Sequence, residues 1–154
     1  MTKRALTERE RALALSMFHH AIDLDRVAIN HRCWWPLQPR NVIMAPDGEI
    51  WCHPAGALYR ECFASSDLGV QGLFLHELTH VWQSQQRGRF YLPLMRHPFC
   101  RYRYDLIPGM PFERYGLEQQ GEIIRHAFLL RAGARLTGLP ALEQYEKILP
   151  FGRQ

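Results

Sequence analysis

The pentapeptide His76-Glu77-Leu78-Thr79-His80 sets two imidazoles and a carboxylate at helical spacing. Residues four apart share a helix face, so His76 and His80 can offer neutral ring nitrogens to one zinc ion. Glu77 lies about 100° further around the helix. That position suits a general base acting on a metal-activated water that attacks a carbonyl. Such a site needs a third protein ligand and a fourth position open to water. Glu118 is the expected ligand, in the run Tyr115-Gly116-Leu117-Glu118-Gln119-Gln120-Gly121-Glu122. Glu122, one turn on, shares its helix face and is expected to hydrogen-bond a ligating histidine. Glu118 follows His80 by 38 residues, which is chain enough for a loop and an antiparallel return. Glu122 stays open as an alternative ligand. His97 competes from a loop, a poorer metal platform than a helix. The developing oxyanion also needs a donor. Tyr115 is the first candidate, with Tyr104, Arg101, Arg103 and His126 as alternatives.

These residues require helices to carry them. Val70, Phe74, Leu78 and Val81 recur at three to four residues and predict a helix over 68–87, its apolar stripe in the core. Asp67 is a suitable N-cap and Gly88 a stop. A second helix is expected from Leu117 to Leu136, broken by Gly138 and Pro140, with a short last helix over 141–149. Upstream, Thr7 and Glu10 form a capping-box pattern for a helix running to about Ile22, with Leu6, Leu13, Ala14, Met17, Phe18 and Ile22 on its core side. His19 and His20 at its end are explained by favourable charge at a helix C-terminus. Strands are expected over 26–30, 41–45 and 49–53, the last two joined by the turn Pro46-Asp47-Gly48. Trp34 and Trp35 are expected to pack the flank of the sheet. The connection over 88–114 carries prolines, arginines and the aromatics Phe90, Tyr91, Phe99, Tyr102, Tyr104 and Phe112. It reads as a wall or lid over a metal cleft, anchored by aromatics, with arginines for a substrate carboxylate or acidic partner.

The chain has 154 residues, enough for one domain and one core. Its formal net charge of +4 comes from 19 Lys plus Arg against 15 Asp plus Glu. No basic run of five or more occurs, so nucleic acid is not an expected partner. Cys33, Cys52, Cys62 and Cys100 lack CxxC spacing and read as reduced thiols. The N-terminus does not resemble a signal peptide, because Glu8 and Glu10 precede its short apolar stretch. No segment is expected to span a bilayer. The expected location is cytoplasmic, with any export through a machine that needs no cleaved leader.

A glutamate ligand on a helix downstream of HExxH, followed four residues later by another acid, resembles the gluzincin pattern of zinc peptidases. The longer strings HELTHVWQ and YGLEQQGEI are similar to small metallopeptidase-like proteins found beside contractile injection systems. These include Vgr-related proteins and metallopeptidase domains attached to type VI secretion spikes. The stretch over 21–27 also looks like the opening of such domains, so the resemblance runs from about residue 7 to residue 132. It implies zinc, a compact zincin-like α+β domain over 1–154, a peptide or protein substrate and a spike protein as partner. It also implies a sheet edge beside the metal that pairs with an extended peptide, for which Ile50, Trp51 and Cys52 are the candidates. Gly121 stands where the resemblance implies alanine, a change expected to leave the ligands untouched. The resulting expectation is a zinc peptidase with His76, His80 and Glu118 as ligands and Glu77 as base. The alternative is a catalytically silent, zinc-stabilised accessory or adaptor protein of a secretion apparatus. Hydrolysis of a cell-wall peptide uses the same chemistry.

Overall fold

The ligand-bearing segments form two long helices, α2 (Leu68–Arg87) and α4 (Leu117–Arg131), in a computed structural model that describes residues 3–152. Asp67 Oδ1 caps α2 by accepting from the Val70 N–H at 3.1 Å, and Gly88 ends it at φ +96°. The helices run antiparallel: Gly72 of α2 faces Leu129, His76 faces Gly121, and Gln83 reaches Leu117. Gly72 and Gly121 let the two backbones approach closely, since a Cβ at either would sit within about 3 Å of the opposite helix's side chains.

Above α2 lies a four-stranded sheet of β1 (Lys3–Ala5), β2 (Ala28–Asn30), β3 (Ile43–Met44) and β4 (Ile50–Cys52), ordered β1-β2-β4-β3. β1 pairs antiparallel with β2, β2 parallel with β4, and β3 antiparallel with β4. The β3–β4 hairpin forms where Pro46-Asp47-Gly48 predicts it. Gly48 takes φ +92°, and Asp47 Oδ1 accepts from the Glu49 N–H and from Trp51 Nε1–H. The expectation that Ile50, Trp51 and Cys52 form an open edge is corrected. β4 is paired on both sides, so its main chain is already hydrogen-bonded, and the edge strand is β3. β1 itself has no local signal; it is recruited by pairing with Ala28, Ile29 and Asn30, far along the chain.

The capping box at Thr7 opens α1 (Glu8–Phe18), which stops four residues before the expected Ile22. His19 turns the chain out of the helix at φ 49°, and Ile22 is buried from the loop beyond. Glu10 is fully buried. It accepts two bonds from the Arg4 guanidinium at 2.8 and 2.9 Å, and one each from the N–H of Thr7 and Phe63 at 2.8 Å. That carboxylate ties β1, α1 and the segment leading to α2 together. A single core joins Ile29, Ile43 and Ile50 of the sheet to Phe74, Leu75, Leu78 and Val81 of α2 and to Ile123, Ile124 and Ala127 of α4.

α4 ends at Arg131 rather than Leu136, because Gly133 at φ +85° closes it. A short α5 (Leu142–Ile148) packs Tyr145 inward. The long connection contains α3 (Tyr91–Met95), and its buried anchors are Leu92 and Phe112. Three of its six aromatics do not anchor it: Phe90 is 67%, Phe99 85% and Tyr102 50% exposed. Trp34 and Trp35 are likewise exposed rather than packed on the sheet. All four cysteines are free. The elements thus form an α+β domain in which a small sheet covers a helical layer.

Candidate metal centre

α2 projects His76 and His80 toward α4, and α4 returns Glu118 to the same point. His76 Nε2 lies 3.0 Å from Glu118 Oε2, His80 Nε2 lies 3.1 Å from the same oxygen, and the two imidazole nitrogens are 3.2 Å apart. All three side chains are buried. Zinc held tetrahedrally by ligands at about 2.0–2.1 Å sets neighbouring donor atoms about 3.3 Å apart. The observed triangle matches that spacing to within a few tenths of an ångström.

The protonation pattern points the same way. Gln120 Nε2–H donates to the Tyr115 carbonyl at 2.9 Å, which turns Gln120 Oε1 toward Gln83. Gln83 Nε2–H donates to that oxygen at 2.9 Å and to the Leu117 carbonyl at 3.1 Å. Gln83 Oε1 is therefore the atom 2.8 Å from His80 Nδ1, so Nδ1 carries the proton and Nε2 presents its lone pair. On His76, Nδ1 lies 2.9 Å from Glu122 Oε1, somewhat off the ideal N–H line. A proton there again leaves Nε2 free to ligate. Two imidazole lone pairs and a carboxylate oxygen then converge on one point, an arrangement that calls for a cation. The acidic surroundings favour positive charge at this point, which in the metal-free protein is a proton on His76 that a metal ion must displace. Burial pulls the His76 imidazolium pKa down, but Glu118 and Glu122 outweigh it and raise it to about 9. Burial pushes Glu118 up, yet His76, His80 and Arg96 hold it well below the usual carboxylate range. Among the described residues, His76, His80 and Glu118 form the group of side chains able to hold a metal ion.

Glu77 is buried, and its Oε2 has no hydrogen-bond partner. Burial raises its carboxyl above the usual range against the pull of His80 and His76. It shares a cleft of about 320 Å³ with His76, Arg96, Tyr102, Glu118 and Glu122, bounded opposite by Asn41, Val42 and Ile43 at the free side of β3. Arg96, just past α3, sets its Nε 2.9 Å from Glu118 Oε1, while its Nη2 donates to the Tyr102 hydroxyl at 3.3 Å. Tyr102 also lies alongside the His76 ring, with centroids 6.1 Å apart.

Several residues singled out by sequence fall elsewhere. Tyr115 is buried with its hydroxyl accepting from the Ile107 N–H at 2.9 Å, so it braces the loop rather than facing the cleft. Its chain position beside Glu118 suggested a role that its side-chain direction does not permit; the cleft tyrosine is Tyr102. His97 is exposed and accepts from the Phe99 N–H, away from the ligand triangle. His126 sits 3.5 Å from Glu122 and 2.6 Å from the Tyr104 hydroxyl. Tyr104 also meets the Tyr145 hydroxyl at 2.8 Å. Gly121 is not interchangeable with alanine, because a Cβ there would lie 2.7–2.9 Å from three atoms of the His76 ring. Gln83 and Gln120 were missed as ligand supports. Gln83 follows His80 by three residues, so helical spacing alone would have placed it beside that ring.

No protein-family model matches the chain. It is 37% identical over 135 residues to the type VI secretion system spike protein VgrG2b of Pseudomonas aeruginosa. That match covers 82% of this chain but 13% of the spike protein, so the chain corresponds to a small part of its relative. The solved effector domain of Pseudomonas aeruginosa VgrG2b superposes with a TM-score of 0.75 at 31% identity. The superposition covers 95% of this chain and 83% of that domain. Over a shared length that reaches most of the effector domain, with sequence and fold in agreement, this chain belongs to the family of the VgrG2b effector domain.

Proposed function

We propose that the protein is a zinc-dependent peptidase of gluzincin type that acts as an effector of a type VI or similar contractile secretion system. The observation that carries this reading is the convergence of His76 Nε2, His80 Nε2 and Glu118 Oε2 beside an unpartnered, buried Glu77 carboxylate. Zinc bound there would supply Lewis acidity toward a scissile carbonyl and acidify the attacking water. Glu77 takes the proton from that water and passes it to the leaving amine nitrogen. Its raised pKa brings proton acceptance and release closer to neutral pH. Arg96 and Tyr102 line the same cleft and offer donors to the oxyanion. Gln83 and Glu122 hold the two imidazoles in their ligating tautomers. The unpaired side of β3 can add an extended peptide as a further strand, with main-chain hydrogen bonds giving affinity. Spike association and export are part of the same reading, supported by the relationship to VgrG2b, a type VI secretion system spike protein.

Arg96 reaching across the cleft onto Glu118 supports a second reading, an accessory protein whose cleft is held shut. Elemental analysis of the purified wild type and Glu118→Ala, joined to a peptide-cleavage assay with Glu77→Gln, separates the two. The peptidase reading expects near one zinc per wild-type chain, loss of zinc in Glu118→Ala, and retained zinc without turnover in Glu77→Gln. Zinc in the wild type with no cleavage of any peptide in a broad library would favour the accessory protein. No zinc, even after titration, would remove the metal site altogether.

A further inference from the structure

Next to the metal cleft lies a larger compartment of about 890 Å³ that shares Tyr102 and Glu122 with it. One wall is the segment 101–105; the other is α4 at Glu122 and His126, with Gly138 and Leu139 beyond. The wall segment has no regular secondary structure. Its two tyrosines differ: Tyr104 turns inward onto His126 and Tyr145, while Tyr102 lies alongside His76 and stays half exposed. Arg101 and Arg103 alternate with them and are exposed at the compartment. Neither guanidinium has an ion-pair or hydrogen-bond partner among the described residues, whereas Glu122 is already engaged by His76, Arg125 and His126. The only other acid lining the compartment is Asp105. Two free guanidiniums on residues lining a cavity that shares two wall residues with the metal cleft make a receptor for negative charge.

Resting on the peptidase reading, we propose that this compartment is a substrate subsite that selects a peptide carrying a free carboxylate, held by Arg101 and Arg103 while the scissile bond lies in the metal cleft. The carboxylate can belong to an acidic side chain or to a peptide C-terminus, since the guanidinium fork accepts either. Tyr102 and Tyr104 line the compartment with aromatic surface on which a peptide backbone would rest while its charge meets the arginines.

The test uses zinc-loaded Glu77→Gln for binding and zinc-loaded wild type for cleavage. The probes are fluorescent peptides of one neutral sequence: amidated, with a single Glu moved along the chain, or with a free C-terminus. The expected result is a roughly tenfold tighter anisotropy-measured affinity for one Glu position or for the free terminus, the scale of two partly exposed charge pairs. Which of the two is preferred identifies the source of the carboxylate. The preference should shrink between low and high salt, and it should collapse to near unity when Arg101→Gln and Arg103→Gln are combined. Equal affinity for neutral and acidic peptides, or a preference that survives the double substitution, would overturn the subsite. Discriminating binding with no cleavage by wild type would sink the hydrolytic reading and leave the carboxylate site standing. Cleavage without discrimination would do the reverse, and neither binding nor cleavage would remove both.

Discussion

Gly121→Ala should damage the metal site without touching a ligand. The added methyl would lie 2.7 Å from His76 Cε1, 2.8 Å from Nδ1 and 2.9 Å from Nε2. Ordinary carbon contacts begin near 3.4 Å, so the ring must retreat by about 0.5–0.7 Å, or the helices must part by a similar amount. The ring has little freedom to do so, because Glu118 and Glu122 hold its two nitrogens at 3.0 and 2.9 Å. Metal–ligand distances tolerate only about 0.2 Å. The expected loss is that of a disrupted ligand support, roughly 10- to 100-fold in zinc affinity, or about 1.4–2.7 kcal/mol. Competition against a chromophoric chelator measures it directly, with thermal unfolding of the metal-free protein as a check on the fold. Gly72→Ala is the matched control. Its Cβ would meet the flexible Arg125 Cγ at 3.1 Å and Leu129 at 3.6 Å, so stability should fall while zinc affinity holds. Zinc affinity in Gly121→Ala within twofold of wild type, with the fold intact, would refute the claim that the bare α4 backbone positions His76.

Other outcomes follow from neighbouring contacts. Gln83→Ala frees His80 Nδ1 and should cost about 10- to 100-fold in zinc affinity, read by the same chelator competition. Tyr102→Phe should lower kcat by up to about 10²-fold as an oxyanion donor is lost. Tyr115→Phe should leave kcat unchanged and cost about 1–3 kcal/mol of stability, because it strands the Ile107 N–H. Glu10 governs acid stability. Burial pushes its pKa up, but Arg4 and the Thr7 and Phe63 N–H groups outweigh it and hold it below the usual range. Its stabilisation is therefore complete above the unfolded-state pKa of about 4.3 and lost as pH falls through the lower folded value. Urea midpoints should drop below about pH 4, and Arg4→Met should cost about 3–5 kcal/mol at neutral pH by leaving a buried charge unpaired. A Glu10→Gln variant with the same acid profile as wild type would contradict this assignment.

What could be read from the sequence was what helical periodicity carries. His76, Glu77 and His80 share one helix, and Glu118 and Glu122 share another, so their mutual placement is local and survives folding unchanged. The caps at Thr7 and Asp67 and the turn at Gly48 are equally local. The misplaced features depend on distant partners. β4 became an interior strand because β2 pairs with it in parallel, a register no neighbouring residue announces. Tyr115 and Tyr102 differ in orientation, set by loop geometry rather than by spacing from a ligand. The Gln83–Gln120 relay crosses between helices, and the need of the His76 ring for Gly121 is a matter of interhelical distance that residue type alone does not express.

The candidate metal ligands and the proposed base all stand on α2 and α4, whereas both cavities beside them are walled largely by irregular chain and a two-residue strand. On the proposed function, chemistry and selectivity are thereby divided between parts of the molecule held by different contacts. A change on the facing sides of either helix is felt by the core and by the candidate ligands at once. A change in the stretches over 41–43, 96–105 or 138–139 alters what the cleft admits while leaving the helix pair intact. On the proposed function, substitutions in these loops alone would redirect the protein to other peptides without disturbing the atoms that carry out hydrolysis.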